Sequence, residues 1–213
     1  MSDRKVCYIF GAGEHFEPSP VPGDGDVIIA ADGGYDHILR SGLRADLIIG
    51  DLDSLGEIPR HADVRILPQE KDDTDMAAAI RCGWERGYRI FHIYGGTGGR
   101  LDHTLANIQC IADLAGRGAR GFLYDRDTVI TAIRNTAISF PHGCTGVVSV
   151  FSHSDTAAGV YETGLKYPLV NAALRNNCPL GVSNEFTGAP GSVEVRAGTL
   201  VVIYPKNIRE IGM

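Results

Sequence analysis

Residues 47–55 read Leu-Ile-Ile-Gly-Asp-Leu-Asp-Ser-Leu, an apolar run that leads directly into two carboxylates. A short run of large aliphatic side chains is typical of a strand that is buried on both faces. Asp51 and Asp53 follow at the carboxyl end of this run. In an open sheet of parallel strands, ligands bind just outside that end. The stretch therefore predicts a strand of an α/β sheet and one side of a binding site.

The same arrangement recurs through the first two-thirds of the chain. Further strands are predicted from short apolar runs at 6–10, 27–31, 64–67, 90–94 and 121–124. Two helical patterns lie between them, at 74–87 and 102–118, and they begin at the capping residues Thr74 and Asp102. Alternating strands and helices predict an α/β layer with a mainly parallel sheet.

The pattern changes after about residue 135. Short β-type runs punctuated by Gly, Pro and Asn follow at 146–151, 157–161 and 191–205. One possible helical segment lies at 169–176. These features predict an antiparallel β-sandwich or a small barrel. We therefore expect two domains, an α/β domain over residues 1–135 and an all-β sandwich over residues 136–213.

Composition narrows the class of protein. The 213 residues carry a net charge of −6, with 44% apolar and 22% charged residues, which is ordinary for a globular protein. The negative charge argues against a nucleic-acid partner. No apolar run is long enough to span a membrane. Five cysteines without CxxC spacing, and no secretory leader pattern, predict free thiols in a cytoplasmic protein.

Acidic side chains follow four predicted strands in succession. Asp32 follows the strand at 27–31, Asp51 and Asp53 follow 47–50, Asp75 comes after 64–67, and Asp102 comes after 90–94. Because the carboxyl ends of parallel strands meet at one edge, we expect these carboxylates to lie together. Crowded carboxylates repel one another unless a cation lies among them, and hard oxygen ligands suit Mg²⁺. The sequence predicts a magnesium site at this edge.

Glycine-rich segments at 11–13, 31–34 and 95–99 are expected at the same edge, where they bring backbone amides close to a ligand. Lys71 and Arg100 lie in neighbouring loops and can neutralise phosphate oxygens. Together with the carboxylates, these features predict a magnesium-nucleotide site with phosphoryl-type chemistry.

Each residue also has a purely structural explanation. A place at the start of a helix would by itself explain four of them, Thr74, Asp75, Asp102 and His103. His92 lies within a predicted strand and is expected in the core. The functional interpretation rests on the whole set, since four acidic loops follow strands of one sheet.

Six segments resemble the motifs of thiamine pyrophosphokinases in order and spacing. They are ADGG (31–34), ADLIIGDLDSL (45–55), KDDTDMAAAI (71–80), GGTGGRLDHTLANI (95–108), GLKYPL (164–169) and GVSNEF (181–186). The resemblance implies an α/β domain followed by a β-sandwich. It also implies transfer of the diphosphate of ATP to the hydroxyl of thiamine, with Mg²⁺, giving thiamine diphosphate and AMP. The family works as a homodimer with active sites between subunits.

The resemblance also implies roles for particular residues. The magnesium positions are Asp51, Asp53 and Asp75. Asp32 and Asp102 are further acidic positions of the catalytic site, and Asp102 is a candidate to orient the thiamine hydroxyl. The ATP-binding positions are Lys71, Thr74, Gly96, Thr97 and Arg100. The thiamine-binding positions are Tyr167, Ser183 and Asn184. For Tyr167, as for Phe186, core packing is the structural alternative.

Three other functions remain open at this point. A pyrophosphokinase acting on a hydroxymethyl pterin could use the same N-terminal motifs, although the second-domain motifs favour thiamine. A non-catalytic sensor of nucleotide or thiamine would not need so many carboxylates. A metal-dependent phosphatase would transfer its phosphate to water and would not need thiamine.

Overall fold

The computed structural model describes residues 5–16, 19–50, 63–66, 73–209 and 211–213. Three of the predicted site residues, Asp51, Asp53 and Lys71, lie outside the described residues. The chain divides into two compact units. The first comprises Met1–Cys110 and Gly121–Arg126, and the second comprises Ile111–Arg120 and Asp127–Met213.

The first unit is an α/β layer. Its strands are β1 (Val6–Phe10), β2 (Val27–Ala31), β3 (Leu47–Gly50), β4 (Asp63–Ile66), β5 (Ile90–Tyr94) and most of β6 (Arg120–Tyr124). They lie in the order β6-β5-β1-β2-β3-β4. The pairs β5–β1, β1–β2, β2–β3 and β3–β4 are all parallel. The mainly parallel sheet expected from the sequence is confirmed.

Three helices follow strands of this sheet, α1 (Gly34–Arg40), α2 (Asp75–Glu85) and α3 (Leu101–Gly116), and the part of α3 from Ile111 onward belongs to the second unit. Helix α2 begins where the sequence predicts, because Thr74 Oγ1 accepts a hydrogen bond from Ala77 N at 3.1 Å. Helix α1 was not predicted. It has only seven residues, and Gly33 at its start makes no side-chain cap hydrogen bond. Its side chains Tyr35 and Ile38 nevertheless pack in the core of the sheet.

The pairing register of the sheet sets the position of the site. Phe10, the last residue of β1, pairs with Tyr94 of β5 on one side and with Ala30 of β2 on the other. The residues that follow these three strands therefore leave the sheet at one edge. Helix α2 approaches the sheet closely, since a Cβ at Gly83 would lie 2.8 Å from Cys7 Sγ. This packing holds the beginning of α2 near the same edge.

The second unit is a β-sandwich. Its strands are β7 (Thr128–Arg134), β8 (Ala137–Phe140), β9 (Val147–Ser152), β10 (Thr156–Thr163), β11 (Leu169–Arg175), β12 (Gly181–Glu185), β13 (Gly191–Ala197) and β14 (Thr199–Pro205). They form two antiparallel layers, β12-β9-β14-β7 and β11-β10-β13-β8. Between the layers, the Phe140 ring lies 4.8 Å from Phe186 and 5.4 Å from Tyr204. The expected sandwich is confirmed.

One local prediction in this unit was wrong. The segment predicted as a possible helix at 169–176 is strand β11, which pairs with β10 at the edge of its layer. The β-type run predicted at 191–205 is confirmed as two strands, β13 and β14, which lie in different layers because the chain turns at Gly198 with φ of +114°. Strands β7, β8 and β12 were not predicted.

The structure also bears on two expectations from composition, which concern membrane-spanning helices and the cysteines. No helix among the described residues has the length and apolar character needed to cross a bilayer. All five cysteines are described, and each is a free thiol.

Candidate active site

Two glycine loops are joined along the carboxyl edge of the first sheet. Gly11 N donates to Tyr94 O at 2.8 Å, and Gly13 N donates to Gly95 O at 2.8 Å. Glu14 N then donates to Thr97 O at 2.9 Å. The loop after β1 is thus hydrogen-bonded, step by step, to the loop after β5.

This close approach leaves no room for side chains. A Cβ at Gly13 would lie 2.4 Å from Thr97 O. Gly95 has φ of +61°, and a Cβ there would lie 2.3 Å from Gly11 O. Both positions therefore require glycine, and the result is a floor of backbone atoms of the kind that approaches phosphate groups closely.

A cavity of about 270 Å³ opens above these loops. Its described lining comes from the loops after β1, β2 and β5 and from the first turns of α2 and α3. The lining residues are Gly11, Ala12, Gly13, Ala31, Asp32, Thr74, Asp75, Met76, Gly95, Gly96, Thr97, Gly99, Arg100, His103, Thr104 and Asn107. Six of the predicted site residues are therefore brought together, namely Asp32, Thr74, Asp75, Gly96, Thr97 and Arg100.

Two carboxylates face this cavity. Asp32 has φ of +49°, and its N–H donates to Ile49 O at 2.8 Å. A left-handed backbone at a non-glycine residue costs energy and is found where structure or function demands it. Asp75 lies in the first turn of α2. Within the described residues no group of three or more His, Cys, Asp and Glu side chains could hold a metal ion.

Asp102 is not among the described residues that line the cavity. Arg100 Nε donates to Asp102 Oδ1 at 3.1 Å, and Arg100 Nη2 donates to Asp102 Oδ2 at 2.5 Å. This two-point pair is exposed, and it holds the pKa of Asp102 below its ordinary value. Of the described acidic residues predicted for the site, Asp32 and Asp75 line the cavity, whereas Asp102 is paired with Arg100, which does line it.

The two threonines of the cavity have partners within the chain. Thr74 Oγ1 caps α2, as its structural interpretation predicts. Thr97 is buried, and its hydroxyl donates to Asp125 Oδ1 at 2.7 Å. Their hydroxyl groups thus shape the cavity walls.

Asn107 is a site residue that the sequence analysis missed. Its side chain is buried, and Nδ2 donates to Gly96 O at 2.8 Å, which fixes the second glycine loop from below. An asparagine among the apolar positions of a helix was the signal that could have identified it, because a buried amide needs a partner.

His92 lies within strand β5, where its ring is partly buried beside Tyr8, Phe122 and Tyr124. Its Nδ1 lies 2.7 Å from Tyr124 Oη, and burial lowers the pKa of His92 to about 4. His103, by contrast, is one of the residues that line the cavity.

The predicted thiamine residues lie in the second unit around Asn184. This side chain is buried, and Oδ1 accepts from Tyr167 N and Glu185 N, each at 2.9 Å. Nδ2 donates to Glu162 Oε2 at 2.7 Å and to Tyr167 O at 2.8 Å. The amide of Asn184 thus holds the backbone of Tyr167 at both its N–H and its carbonyl.

Glu162 was not identified from the sequence. It is only 1% exposed, its Oε1 has no hydrogen-bond partner among the described residues, and burial raises the pKa of its carboxyl. Nothing in the alternation of strand β10 distinguishes it from an exposed glutamate.

Tyr167 and Ser183 are at the surface of this unit. Tyr167 is 57% exposed, so its core-packing alternative is wrong, whereas Phe186 is 7% exposed and belongs to the core. Lys166 Nζ lies 5.4 Å from the centre of the Tyr167 ring. Ser183 has φ of +60°, and its N–H donates to Ser149 Oγ at 3.1 Å.

Models of known protein families match residues in both units of the chain. The thiamin pyrophosphokinase catalytic-domain model matches residues 23–122, and the vitamin B1 binding-domain model of the same enzyme matches residues 135–200. The chain belongs to the thiamin pyrophosphokinase family. The identification made from the sequence motifs is confirmed, and with it the enzyme class. Neither the pterin pyrophosphokinase nor the sensor gains support.

Individual relatives agree with this family. The thiamine pyrophosphokinase of Bacillus subtilis (strain 168) is 29% identical over 189 residues, which cover 82% of this chain and 85% of that protein. The crystal structure of thiamine pyrophosphokinase from Bacillus subtilis superposes with a TM-score of 0.84 at 25% identity, over 94% of this chain and 99% of that one. That of Geobacillus thermodenitrificans gives a TM-score of 0.79 at 28% identity, over 94% and 97%.

Proposed function

We propose that the cavity at the edge of the first sheet binds the phosphates of ATP, and that the chain transfers the ATP diphosphate to the hydroxyl of thiamine. One observation carries this proposal. Two joined glycine loops, the acidic residues Asp32 and Asp75, and Arg100 all border one cavity. Such a set suits a phosphate chain with a bound cation and suits little else.

Mg²⁺ fits the donors of this cavity. Asp32 and Asp75 offer hard carboxylate oxygens, and Mg²⁺ typically takes one or two carboxylates and completes its shell with water and phosphate oxygens. We propose Asp75, with Asp51 and Asp53, as the residues that hold the ion. When bound, Mg²⁺ neutralises charge on the phosphates as the diphosphate is transferred.

The residues proposed for ATP act in different ways. Gly96 and Thr97 present backbone, since the Thr97 hydroxyl is engaged by Asp125. Thr74 holds the start of α2, whose N-terminal end favours negative charge. Arg100 and Lys71 supply positive charge to phosphate oxygens.

The proposed transfer forms a bond from the thiamine hydroxyl oxygen to the β-phosphorus of ATP. The bond from that phosphorus to the oxygen bridging to the α-phosphate breaks, and AMP leaves with the bridging oxygen. The hydroxyl proton passes to a carboxylate of the site. In-line placement of the two substrates supplies much of the rate.

Thiamine is proposed to bind through Tyr167, Ser183 and Asn184. The exposed Tyr167 ring offers a stacking surface for a flat heteroaromatic ring. Asn184 acts through Tyr167, because its amide is already bonded within the chain. The carboxylates of the site favour the positively charged thiazolium ring.

We further propose that the two parts of the chain bind different substrates within a homodimer. Residues 1–135 would supply the ATP site and residues 136–213 the thiamine site, within a homodimer whose sites lie between subunits. Exposed apolar side chains in the second unit support an interface, among them Val170 at 77% and Leu180 at 60% exposure. Five free thiols fit a reducing cytoplasm.

Product analysis tests the proposal. The purified protein is incubated with ATP, Mg²⁺ and thiamine, and the nucleotides and thiamine species are separated by chromatography. We expect AMP and thiamine diphosphate in equal amounts, and only when thiamine and Mg²⁺ are both present. ADP with thiamine monophosphate, or diphosphate released to water, would contradict it.

A further inference from the structure

A buried carboxyl lies close to the residues proposed for thiamine in the second unit. Glu162 is on strand β10, where Ala157 and Val160 are buried as it is. Within the described part of the chain, no cation pairs with its carboxyl. Burying a carboxyl without a cation opposes folding, and an apolar side chain would suit this position better. Packing alone therefore does not explain the glutamate.

The hydrogen bonding of Glu162 shows which group it serves. Its Oε2 accepts from Asn184 Nδ2 at 2.7 Å, whereas Oε1 has no partner among the described residues. The carboxyl is thus directed at the Asn184 amide.

All four hydrogen-bonding positions of the Asn184 amide are occupied. Oδ1 accepts from the N–H groups of Tyr167 and Glu185, and Nδ2 donates to Tyr167 O and to Glu162. A side-chain amide offers two donor and two acceptor positions, so this set is complete and fixes the direction in which the amide faces. Without Glu162, one buried N–H of the amide would lose its acceptor.

The backbone of Tyr167 depends on this amide. Both its N–H and its carbonyl bind Asn184, and the following Pro168 has no N–H to offer. One residue earlier, Lys166 N donates to Glu185 O at 2.9 Å, which attaches the segment to strand β12. Asn184 extends this attachment to Tyr167.

We propose that Glu162 is a positioning residue for thiamine, which holds the Asn184 amide and through it the backbone that presents the Tyr167 ring. This inference rests on the proposed function, because it requires that Tyr167 binds thiamine. The ring is exposed, so its direction depends on its backbone more than on surrounding side chains. A loosened backbone would weaken stacking in the ground state and the transition state alike, and so raise the thiamine KM without lowering kcat.

Glu162→Met tests this role. Methionine is similarly long, suits a buried position and offers Asn184 only a weak acceptor. Steady-state kinetics and isothermal titration calorimetry with thiamine would compare this variant with the wild-type protein. We expect the thiamine KM and Kd to rise about tenfold, as for the loss of one hydrogen bond to a charged group. The ATP KM and kcat should stay within about twofold. Glu162→Leu supplies the same test if the methionine variant folds poorly.

Two further variants separate positioning from stability. Glu162→Gln keeps an oxygen that can accept from Asn184, so its thiamine KM should lie much closer to the wild-type value than that of Glu162→Met. Ser152→Ala is the matched control, because Ser152 is buried in the same unit and its hydroxyl donates to Ser154 O at 2.7 Å. None of the hydrogen bonds of Asn184 described above involves Ser152. Ser152→Ala should lower the melting temperature without changing the thiamine KM.

Three results would overturn the inference. They are unchanged thiamine affinity in Glu162→Met, an equal rise in the thiamine and ATP KM, and a thiamine KM raised as far in Glu162→Gln as in Glu162→Met. The proposed function is judged separately, by whether the wild-type protein makes AMP and thiamine diphosphate. Turnover by the wild type with unchanged thiamine affinity in Glu162→Met would keep the function and remove the positioning role. Tenfold weaker thiamine binding in Glu162→Met, without turnover by the wild type, would keep the positioning role and remove the function.

Discussion

Asn184 Nδ2 donates to Glu162 Oε2 at 2.7 Å, and both side chains are buried in the second unit. The same amide holds Tyr167 by its backbone N–H and carbonyl. One buried side chain therefore links a hidden carboxyl to an exposed ring proposed to stack on thiamine. We therefore expect Asn184 to act as a positioning residue for Tyr167.

Asn184→Ala should lower both stability and substrate affinity. It leaves the Tyr167 backbone and the Glu162 carboxyl without partners, and we expect a loss of about 1–3 kcal/mol in the free energy of unfolding. The thiamine KM should rise more than kcat falls. Asn176→Ala is the control, because Asn176 makes a similar bond to Asp155, 3.1 Å long, at the surface. Equal effects of the two substitutions on stability and KM would contradict this role.

Glu162 should make stability depend on pH. Burial raises the pKa of its carboxyl in the folded protein above the ordinary value of 4.5. Between these two pKa values the folded state binds more protons than the unfolded state, so stability falls as pH rises through that window. Glu162→Gln should remove this slope from urea unfolding measured at successive pH values above 4.5.

Glu194, whose side chain is 43% exposed, provides the comparison for Glu162. Glu194→Gln should retain the wild-type slope. If Glu162→Gln keeps the slope as well, the buried carboxyl is not its source.

We expect Tyr167→Ala to affect thiamine binding and Phe186→Ala to affect the stability of the fold. Tyr167 is 57% exposed, so its loss should raise the thiamine KM with little change in melting temperature. Phe186 is buried against Phe140, and truncating such a ring costs about 3–5 kcal/mol. Steady-state kinetics and thermal unfolding of both variants make the comparison. A lowered melting temperature with unchanged KM in Tyr167→Ala would contradict it.

Gly13→Ala should disturb the joined glycine loops. The added Cβ would lie 2.4 Å from Thr97 O, and overpacking of this kind costs about 1–3 kcal/mol. The ATP KM should rise, because the loops must separate to admit the methyl group. At Gly23 the nearest atom would be Asp26 Oδ2 at 3.7 Å, so Gly23→Ala should behave as wild type. Unchanged ATP kinetics in Gly13→Ala would remove the loops from the ATP site.

The parallel sheet could be predicted because its strands are buried on both faces. Ile29, Ile48 and Ile93 are at most 1% exposed, and their neighbours are nearly as buried, so the strands read as continuous apolar runs. Strand β11 could not be predicted in the same way. It lies at an edge, Val170 is 77% exposed, and the spacing of its apolar residues suits a helix as well as a strand.

The position of the candidate site could be predicted from the sequence, because the order of strands and helices places it at the carboxyl edge of the parallel sheet. Asp32 and Asp75 were expected at the carboxyl edge, and both line the cavity. The partners of individual side chains were not predictable. Asp125 lies 28 positions from Thr97, and Glu162 lies 22 positions from Asn184. Only the fold brings such pairs together, and it decides which polar side chains remain available to a ligand.

The most direct test of the central claim is the rate of AMP formation from ATP, Mg²⁺ and thiamine by Asp75→Asn beside Asp113→Asn. Asp75 lines the cavity proposed to bind the ATP phosphates, whereas Asp113 is an exposed carboxylate paired with Arg117 at 2.8 Å. We predict a loss of about a hundredfold or more in kcat for Asp75→Asn, with its melting temperature unchanged, since a charge that stabilises the transition state is removed. Asp113→Asn should retain the wild-type rate. A wild-type rate in Asp75→Asn would contradict the assignment of this cavity as the site of diphosphate transfer.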